Sequence, residues 1–271
     1  MPVLEIGPLD GLYYEYAAPA APDRPTFVFV NPITGDASLW QAAIGPALRA
    51  AGFGTLAWNF RGQAKSPWSP GLALDDKLIA GDLQRLVAAL APARPVLVGL
   101  SIGGLYAARA YLAGCRAAGL VLVNTLRLIG PRLAWMNDAT LRAMEVGGPL
   151  LIRDLMTPLI FGPDWLRAHR KDFLKPDTVY APLDRASGAY NLLTWMGRAD
   201  WDLPYERLDC PVLVASGLHD RIFFEDATVA ALCRRLPRAR RVDVAEAGHM
   251  LPAEAPERFA ALLRDFAAEL G

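Results

Sequence analysis

Short apolar runs, rich in β-branched residues, alternate along this chain with longer amphipathic stretches. Runs such as TFVFV at 26–30 and PVLVGL at 95–100 have no polar face, which suits strands that are buried on both sides. Such strands, separated by helices, predict an α/β fold with a mostly parallel sheet covered by helices on each face. The predicted strands are 3–6, 12–17, 26–30, 54–58, 95–100, 119–123, 211–216 and 241–244, and the first two form an antiparallel hairpin at the sheet edge. The predicted helices of the sheet layers are 37–51, 74–90, 102–112, 227–236 and 256–270.

The alternation stops between residues 126 and 208, where the pattern becomes helical. Glycine and proline at 147–149, 158, 162–163 and 182 interrupt these helices. A helical stretch between two strands of one sheet predicts a cap, here 126–208, inserted after the sixth strand and lying over the strand ends. Residues 1–125 and 209–271 then form the core domain. Four of the seven tryptophans fall in the predicted cap, namely Trp135, Trp165, Trp195 and Trp201.

Residues 99–104, Gly-Leu-Ser-Ile-Gly-Gly, match the pattern G-x-S-x-G and lie directly between a predicted strand and a predicted helix. A serine at such a sharp turn has a strained backbone, so its neighbours two residues away have to be small, as Gly99 and Gly103 are. The turn exposes the Ser101 hydroxyl at the carboxyl edge of the sheet, where α/β folds bind ligands. The strand–turn–helix context therefore favours Ser101 as a nucleophile over a purely structural glycine turn.

A serine hydroxyl needs a base to take its proton, and the base needs a carboxylate to orient it. His249 lies in the loop between the last predicted strand and the last predicted helix, at the same sheet edge as Ser101. Asp220 follows the carboxyl end of the strand at 211–216, whereas the alternative acid position after 119–123 holds Asn124, which cannot carry the charge. In chain order the residues are Ser101, Asp220 and His249, which is the order typical of serine hydrolases whose nucleophile lies at the edge of an α/β sheet.

Five stretches, VNPITGDASLW, NFRGQAKSP, VGLSIGG, PVLVASGLHD and EAGHMLPAEAPERF, resemble segments of the α/β-hydrolase superfamily in the same order. The resemblance covers over half of the chain. It implies the catalytic triad Ser101, Asp220 and His249, and an eight-stranded, mostly parallel sheet flanked by helices with a helical cap. The asparagine at 31 and LVNTLRLIG at 122–130 further resemble the 3-oxoadipate enol-lactonase branch.

Acyl transfer also needs N–H groups aimed at the oxyanion that forms during attack. Ile102, directly after the nucleophile, supplies one by the resemblance. The family usually has His-Gly-x after the third strand, and this chain has Asn31-Pro32-Ile33, so the N–H of Ile33 is the matching second donor. A second departure is Asn-Phe-Arg-Gly-Gln-Ala-Lys-Ser at 59–66, where relatives carry Asp-x-Arg-Gly-His-Gly-x-Ser; its Arg61 is expected to brace the loop.

These residues predict that the protein hydrolyses a carboxylic ester or lactone through an acyl-enzyme. A carbon–carbon bond hydrolase and an acyltransferase use the same triad and stay open, as does a non-catalytic receptor on the same fold. Dehalogenase and epoxide hydrolase chemistry is disfavoured because it needs an aspartate in place of Ser101. The expected substrate pocket is lined by Asn31, Trp135, Trp165 and Trp195, although tryptophans at helical spacing also suit core packing.

Composition and cysteine content indicate which partners and which cellular compartment to expect. The formal net charge is zero, with 28 basic and 28 acidic residues, so no basic surplus indicates a nucleic-acid partner. The apolar runs are too short to span a bilayer, and MPVLEIGPLDG lacks the features of a secretory signal. Three cysteines without CxxC spacing predict neither disulfides nor a zinc site, and so favour the cytoplasm. We expect a bacterial enzyme that acts on a small molecule without a cofactor; the sequence leaves its oligomeric state open.

Overall fold

A computed structural model of the chain describes residues 2–271. Its eight strands form one sheet in the order β1-β2-β4-β3-β5-β6-β7-β8. The two strands at one edge, β1 and β2, are antiparallel, and the other six run parallel to one another. The predicted α/β fold is therefore confirmed, including its edge hairpin. The strands are β1 (Val3–Glu5), β2 (Gly11–Ala17), β3 (Thr26–Val30), β4 (Gly54–Trp58), β5 (Pro95–Leu100), β6 (Gly119–Val123), β7 (Val212–Gly217) and β8 (Ala239–Val244).

Helices fill the connections between the parallel strands. They are α1 (Ser38–Gln41), α2 (Ile44–Ala50), α3 (Asp76–Leu90), α4 (Ile102–Leu112), α5 (Pro131–Ile160), α6 (Pro163–His169), α7 (Gly188–Met196), α8 (Asp226–Cys233), α9 (Leu251–Glu254) and α10 (Pro256–Glu269), with 3₁₀ turns at Arg170–Asp172 and Tyr205–Arg207. No helix within residues 2–271 is both long and apolar enough to cross a membrane.

The predicted continuous helix at 37–51 is wrong, because the chain forms the two short helices α1 and α2 there. Pro46 explains the break. Its ring would clash with the carbonyl of Ala42 if the helix continued, and it has no N–H to donate to that carbonyl. The backbone changes course at Ala43, where φ is −145°.

The two faces of the sheet carry separate apolar layers. Val28 and Val30 of β3 pack in the layer that includes Leu83 of α3. Phe27 and Phe29, which alternate with them, pack in the opposite layer. This period-two alternation, with both faces buried, is the reason the strands are apolar throughout.

The register of the parallel strands sets the position of the loops that follow them. Leu100 pairs with Val123, and Val123 pairs with Ala215. The ends of β5 and β6 are therefore level, and β7 extends two residues further, to Gly217. The residues that follow each strand meet at one edge of the sheet.

The insertion after β6 is helical, as predicted. Helix α5 is kinked at Gly148, whose φ of 67° is outside the helical range, while Pro158 lies inside the helix without ending it. Side chains from α5 and α7 lie opposite the carboxyl edge of the sheet, where they share one cavity with residues of the core. Helix α6 and the following 3₁₀ turn contain no buried residue. The division into core and cap domains at 125/126 and 208/209 stays a prediction.

Candidate active site

Ser101 occupies the sharp turn between β5 and α4. Its backbone has φ 57° and ψ −121°, which is a strained conformation for a residue with a side chain. The Ser101 N–H donates to the carbonyl of Val123 at 2.8 Å, which fixes the turn to the end of β6. A Cβ on Gly103 would overlap the carbonyl oxygens of Val30 and Asn31 at the end of β3. Glycine at 103 is therefore required by the close approach of the turn to the neighbouring strand.

The structure brings Asp220 and His249 together. Oδ2 of Asp220 lies 2.5 Å from Nδ1 of His249, and both side chains are buried. The other oxygen, Oδ1, accepts from the N–H groups of Phe223 at 2.9 Å and Ile222 at 3.2 Å. With one oxygen fixed by the backbone and the other bound to the imidazole, the carboxylate holds the His249 ring in one orientation.

The charge on Asp220 is stabilised despite its burial. Burial alone would raise the pKa of this carboxyl group. The His249 ring, the N–H of Phe223 and the guanidinium of Arg127 act in the opposite direction and together lower the pKa below its ordinary value. Asp220 is therefore ionised at neutral pH and can balance a positive charge that forms on His249.

Asn124 connects the acid and base loops. Its amide nitrogen donates to the carbonyls of His249 at 2.8 Å and Gly248 at 3.1 Å, and its Oδ1 accepts from the N–H of Gly217 at 2.8 Å. Sequence reasoning excluded this residue as the acid, but did not identify its role as a bridge. An amide suits the bridge because it donates and accepts at once, which a carboxylate cannot do.

The end of helix α5 is attached to the loops that carry Asp220 and His249. The N–H of His249 donates to the carbonyl of Ile160 at 2.6 Å, and the N–H of Arg221 donates to that of Leu159 at 2.9 Å. The carboxylate of Glu254 adds a further connection, because it accepts from Gly162 in the insertion at 2.6 Å.

The same Glu254 carboxylate supports the His249 loop. It accepts from the N–H groups of Gly248 at 3.0 Å and Met250 at 3.1 Å, on either side of His249. No motif predicts this role, although a glutamate five residues after His249 and next to a helix start is well placed to bind free N–H groups.

Asn31 does not line the cavity. Its side chain is fully buried, donates to the carbonyl of Trp58 at 2.7 Å and accepts from the indole of Trp40 at 2.8 Å. It also donates to the side-chain oxygens of Asn59 and Gln63, both at 3.2 Å. The two departures from the family pattern are therefore in contact, and together they form a network of uncharged amides.

This amide network holds the loop that was predicted to supply the second oxyanion donor. Nε2 of Gln63 donates to the carbonyl of Gly35 at 2.7 Å, which closes the loop over Pro32 and Ile33. The N–H groups of Ile33 and Ile102 donate none of the loop or cap hydrogen bonds found within 2–271, and both residues line the same cavity as Ser101. Arg61 braces the neighbouring segment through ion pairs with Asp82 and Asp10.

The cavity beside Ser101 has a volume of about 140 Å³. Residues at the carboxyl edge of the sheet form one wall, the core wall, which includes Ile33, Ser101, Ile102, Arg127, Phe223 and His249. Apolar residues of the insertion form the other wall, which includes Leu133, Met136, Ile152, Met156, Leu193 and Met196.

The three tryptophans that were expected in the pocket lie elsewhere. Trp135 is 78% exposed, on the face of α5 that is turned to solvent. Trp165 stacks between Phe161 and His169 within the insertion. Trp195 lies on α7 under the guanidinium of Arg198. The fourth tryptophan, Trp201, does line the cavity, because its segment returns toward the core before β7.

Arg127 is a site residue that sequence reasoning missed. Its Nη2 lies 3.3 Å from Oγ of Ser101 and also donates to the carbonyl of Asn124. In the part of the chain that the structure describes, Ser101 and His249 share the cavity but form no hydrogen bond with each other. Such bonds are often loose without substrate, and rotation about χ1 redirects the serine hydroxyl. An arginine just past a strand end, in an otherwise apolar loop, was the available signal.

Comparisons with known proteins agree with the fold described above. A family model described as the alpha/beta hydrolase family matches residues 27–262. A protein from Variovorax paradoxus named "Putative carbamate hydrolase RutD" is 30% identical over 78% of this chain and 79% of its own length. A thermophilic esterase from Thermogutta terrifontis, solved with malate bound, is 26% identical, with a TM-score of 0.77 over 96% of this chain and 94% of that chain. The enol-lactonase from Burkholderia xenovorans shares the fold, with a TM-score of 0.79 and 24% identity over 98% of this chain and all of its own.

Proposed function

This chain belongs to the α/β hydrolase family, and from that premise we propose that it is a serine hydrolase that cleaves a carboxylic ester or lactone. The observation that carries the proposal is that Ser101, His249 and the N–H groups of Ile33 and Ile102 meet around one cavity. These two N–H groups donate none of the loop or cap hydrogen bonds among the described residues, and Asp220 is bound to the far side of the His249 ring. Nucleophile, base, orienting acid and oxyanion donors are the four parts that acyl transfer to serine requires.

The first half of the reaction forms an acyl-enzyme. Oγ of Ser101 attacks the carbonyl carbon while Nε2 of His249 takes the hydroxyl proton. The carbonyl oxygen becomes an oxyanion that accepts hydrogen bonds from the N–H groups of Ile33 and Ile102. When the tetrahedral intermediate collapses, His249 gives its proton to the leaving oxygen. The alcohol of an ester then departs from the acylated serine, whereas the new hydroxyl group of an opened lactone stays on the acyl chain.

The second half restores the enzyme. His249 takes a proton from water, and the hydroxide attacks the acyl carbon at the same oxyanion site. The bond to Oγ breaks, His249 returns its proton to Ser101, and the carboxylic acid leaves. Asp220 stays ionised throughout and stabilises the imidazolium in both halves.

The test is a turnover screen of short and long aryl esters and of lactones with the wild type and Ser101→Ala. Ser38→Ala, which removes an exposed hydroxyl group on α1, is the matched control. We expect the Ser101 variant to lose turnover by a factor on the order of 10⁴ or more, while the Ser38 variant keeps it. Undiminished turnover by Ser101→Ala would overturn the proposal. Release of product only with an added alcohol would favour an acyltransferase, and no turnover at all would favour carbon–carbon cleavage or binding.

A carbamate is the second candidate substrate. The relative from Variovorax paradoxus, at 30% identity, carries that name, and the carbonyl of a carbamate is open to the same attack by Ser101. Release of ammonia from a carbamate in the same screen tests it.

We propose that the enzyme works in the cytoplasm. The three cysteines, Cys115, Cys210 and Cys233, are free thiols, which is consistent with a reducing compartment.

A further inference from the structure

The cavity beside Ser101 has one charged side chain in its wall. Among its lining residues within 2–271, Arg127 is the only lysine, arginine, aspartate or glutamate. The remaining wall is apolar apart from His249 and a few hydroxyl and amide groups. Among the described residues, the lining of this small apolar cavity therefore carries a cation and no carboxylate.

The guanidinium of Arg127 is held in place by uncharged groups. It lies between the rings of Phe223 and Trp201, with its central carbon 4.4 Å and 4.5 Å from their centroids. Its Nε donates to the carbonyl of Thr125 at 3.2 Å. Two aromatic faces and backbone carbonyls stabilise a cation, but they do not neutralise it.

No carboxylate forms a direct ion pair with Arg127, because Asp220 acts on it only from a longer distance and is itself bound to His249. The ion pairs found among residues 2–271 do not include it, and only 4% of the residue is exposed. Burial lowers the pKa of Arg127 to about 10, so the side chain is still charged at neutral pH. An unpaired buried charge is costly, which makes it a candidate for binding an anion that the protein itself does not supply.

We propose that Arg127 binds a carboxylate carried by the acyl part of the substrate, so that the preferred substrates are monoesters of short dicarboxylic acids. This inference rests on the proposed hydrolysis at Ser101 and names the substrate class for it.

The position of the guanidinium sets the length of the acyl part. Nη2 lies 3.3 Å from Oγ of Ser101, and Nη1 donates to no group within the described residues. A carboxylate bound to Nη1 at about 2.8 Å, the usual charge-assisted distance, lies about three or four bonds from a carbonyl that Ser101 attacks. The succinyl and glutaryl groups have this spacing.

A different role for Arg127 is to act on Ser101 or on the oxyanion directly. In that role it would assist neutral and anionic substrates alike. The two roles therefore predict different ratios of kcat/KM between anionic and neutral esters, and this ratio is the quantity to measure.

The experiment compares ethyl butyrate with monoethyl succinate, which has a carboxylate where butyrate has a methyl group, by the release of ethanol. The variants are Arg127→Met, Arg127→Lys and, as a matched control, Arg198→Met, which removes an exposed arginine that stacks on Trp195. We expect the wild type to prefer monoethyl succinate. Arg127→Met should lower kcat/KM for it by about 100-fold, mostly through KM, with a loss for ethyl butyrate at least about tenfold smaller. The kcat/KM of Arg127→Lys for monoethyl succinate should lie between those of the wild type and Arg127→Met, because an ammonium keeps the charge but not the planar fork. Arg198→Met should match the wild type.

Equal losses for the two esters in Arg127→Met, or a wild type that prefers ethyl butyrate, would overturn the inference while leaving the proposed hydrolysis intact. If the wild type cleaves neither ester, the binding of monoethyl succinate to Ser101→Ala, measured by calorimetry, decides the question separately. Binding that is lost in the double variant Ser101→Ala/Arg127→Met supports the anion site even though the hydrolysis fails. Absent or unchanged binding overturns it.

Discussion

The two walls of the cavity are built in different ways. On the core wall, Ser101 comes directly after β5, and Asp220 and His249 lie in the loops after β7 and β8. Backbone hydrogen bonds hold these groups, as Asp220 is held by Phe223 and Ser101 by Val123. On the wall formed by the insertion, the side chains are flexible or branched apolar groups. The buried cluster there has only three members, Met144, Ile152 and Leu193, whereas each face of the sheet has a far larger one.

This difference separates the reaction from the choice of substrate. A rigid, hydrogen-bonded wall keeps reacting groups within the small tolerances that catalysis needs. A loosely packed apolar wall with methionines such as Met156 adapts to different acyl groups without moving the catalytic groups. Changes on the core wall should therefore alter rates for all substrates, and changes on the insertion wall should alter which substrates are preferred.

The largest effect is expected from removing the charge on Asp220. Asp220→Asn keeps an oxygen for the N–H of Phe223 but cannot hold the His249 ring in the required tautomer, so kcat should fall by a factor on the order of 10⁴ for every ester. Asp226→Asn, at an exposed aspartate six residues later, is the control and should retain full activity. A loss of less than tenfold in Asp220→Asn would show that the core wall does not act through this carboxylate.

The next effect concerns the turn that carries Ser101. In Gly103→Ala the added methyl group would meet the carbonyls of Val30 and Asn31, so we expect a loss of about 3 kcal/mol or more in the free energy of unfolding. Gly81→Ala lies in helix α3 with open space around the new Cβ, and should be neutral or stabilising by up to about 1 kcal/mol. Urea unfolding of both variants provides the measurement, and equal stabilities would contradict the close packing of the turn.

A smaller effect is expected from the amide network behind the oxyanion loop. Gln63→Ala removes the donor to the carbonyl of Gly35, which loosens the position of the Ile33 N–H and should lower kcat by about tenfold for short and long esters alike. Gln84→Ala removes a half-buried glutamine that also donates to a backbone carbonyl, and should leave kcat unchanged. A change in KM for long esters alone in Gln63→Ala would mean that this loop selects the substrate and does not position the Ile33 N–H.

The smallest effect on rate, but the clearest on preference, is expected from the insertion wall. Met156→Ala enlarges the cavity, so the ratio of kcat/KM for octanoate to acetate esters should rise by about tenfold. The neighbouring Leu155 is exposed, and Leu155→Ala should leave this ratio as in the wild type. A uniform drop in rate for all chain lengths in Met156→Ala would remove the distinction between the two walls.

The core wall could largely be predicted from the sequence, because its geometry follows from local rules. Apolar strands buried on both faces predict a parallel sheet, and residues just after such strands must meet at one edge, as His249 and Asp220 do. Asn124 shows the limit of that reasoning. Its position after β6 was recognised, but its three hydrogen bonds to the loops of both other residues depend on tertiary contacts that no local pattern encodes.

The insertion wall could be predicted only as helical. Periodicity indicates that a helix has an apolar face, but not whether that face turns to the site, to another helix or to solvent. The tryptophans illustrate this, since Trp135 is exposed and Trp201 lines the cavity. Arg127 was missed for a related reason, because a single arginine in a loop is usually solvated, and only the structure shows that aromatic rings enclose it.

The proposed acyl-enzyme on Ser101 is the central claim, and its direct measurement is the trapping of that intermediate. The protein is mixed with 4-nitrophenyl acetate and quenched in acid within the first turnover, and the site of acetylation is then located by peptide mass spectrometry. The account predicts a burst of about one 4-nitrophenolate per protein and an acetyl group on the peptide that contains Ser101, both absent in Ser101→Ala. Steady turnover with the acetyl group on another residue, or with a burst that persists in Ser101→Ala, would contradict it.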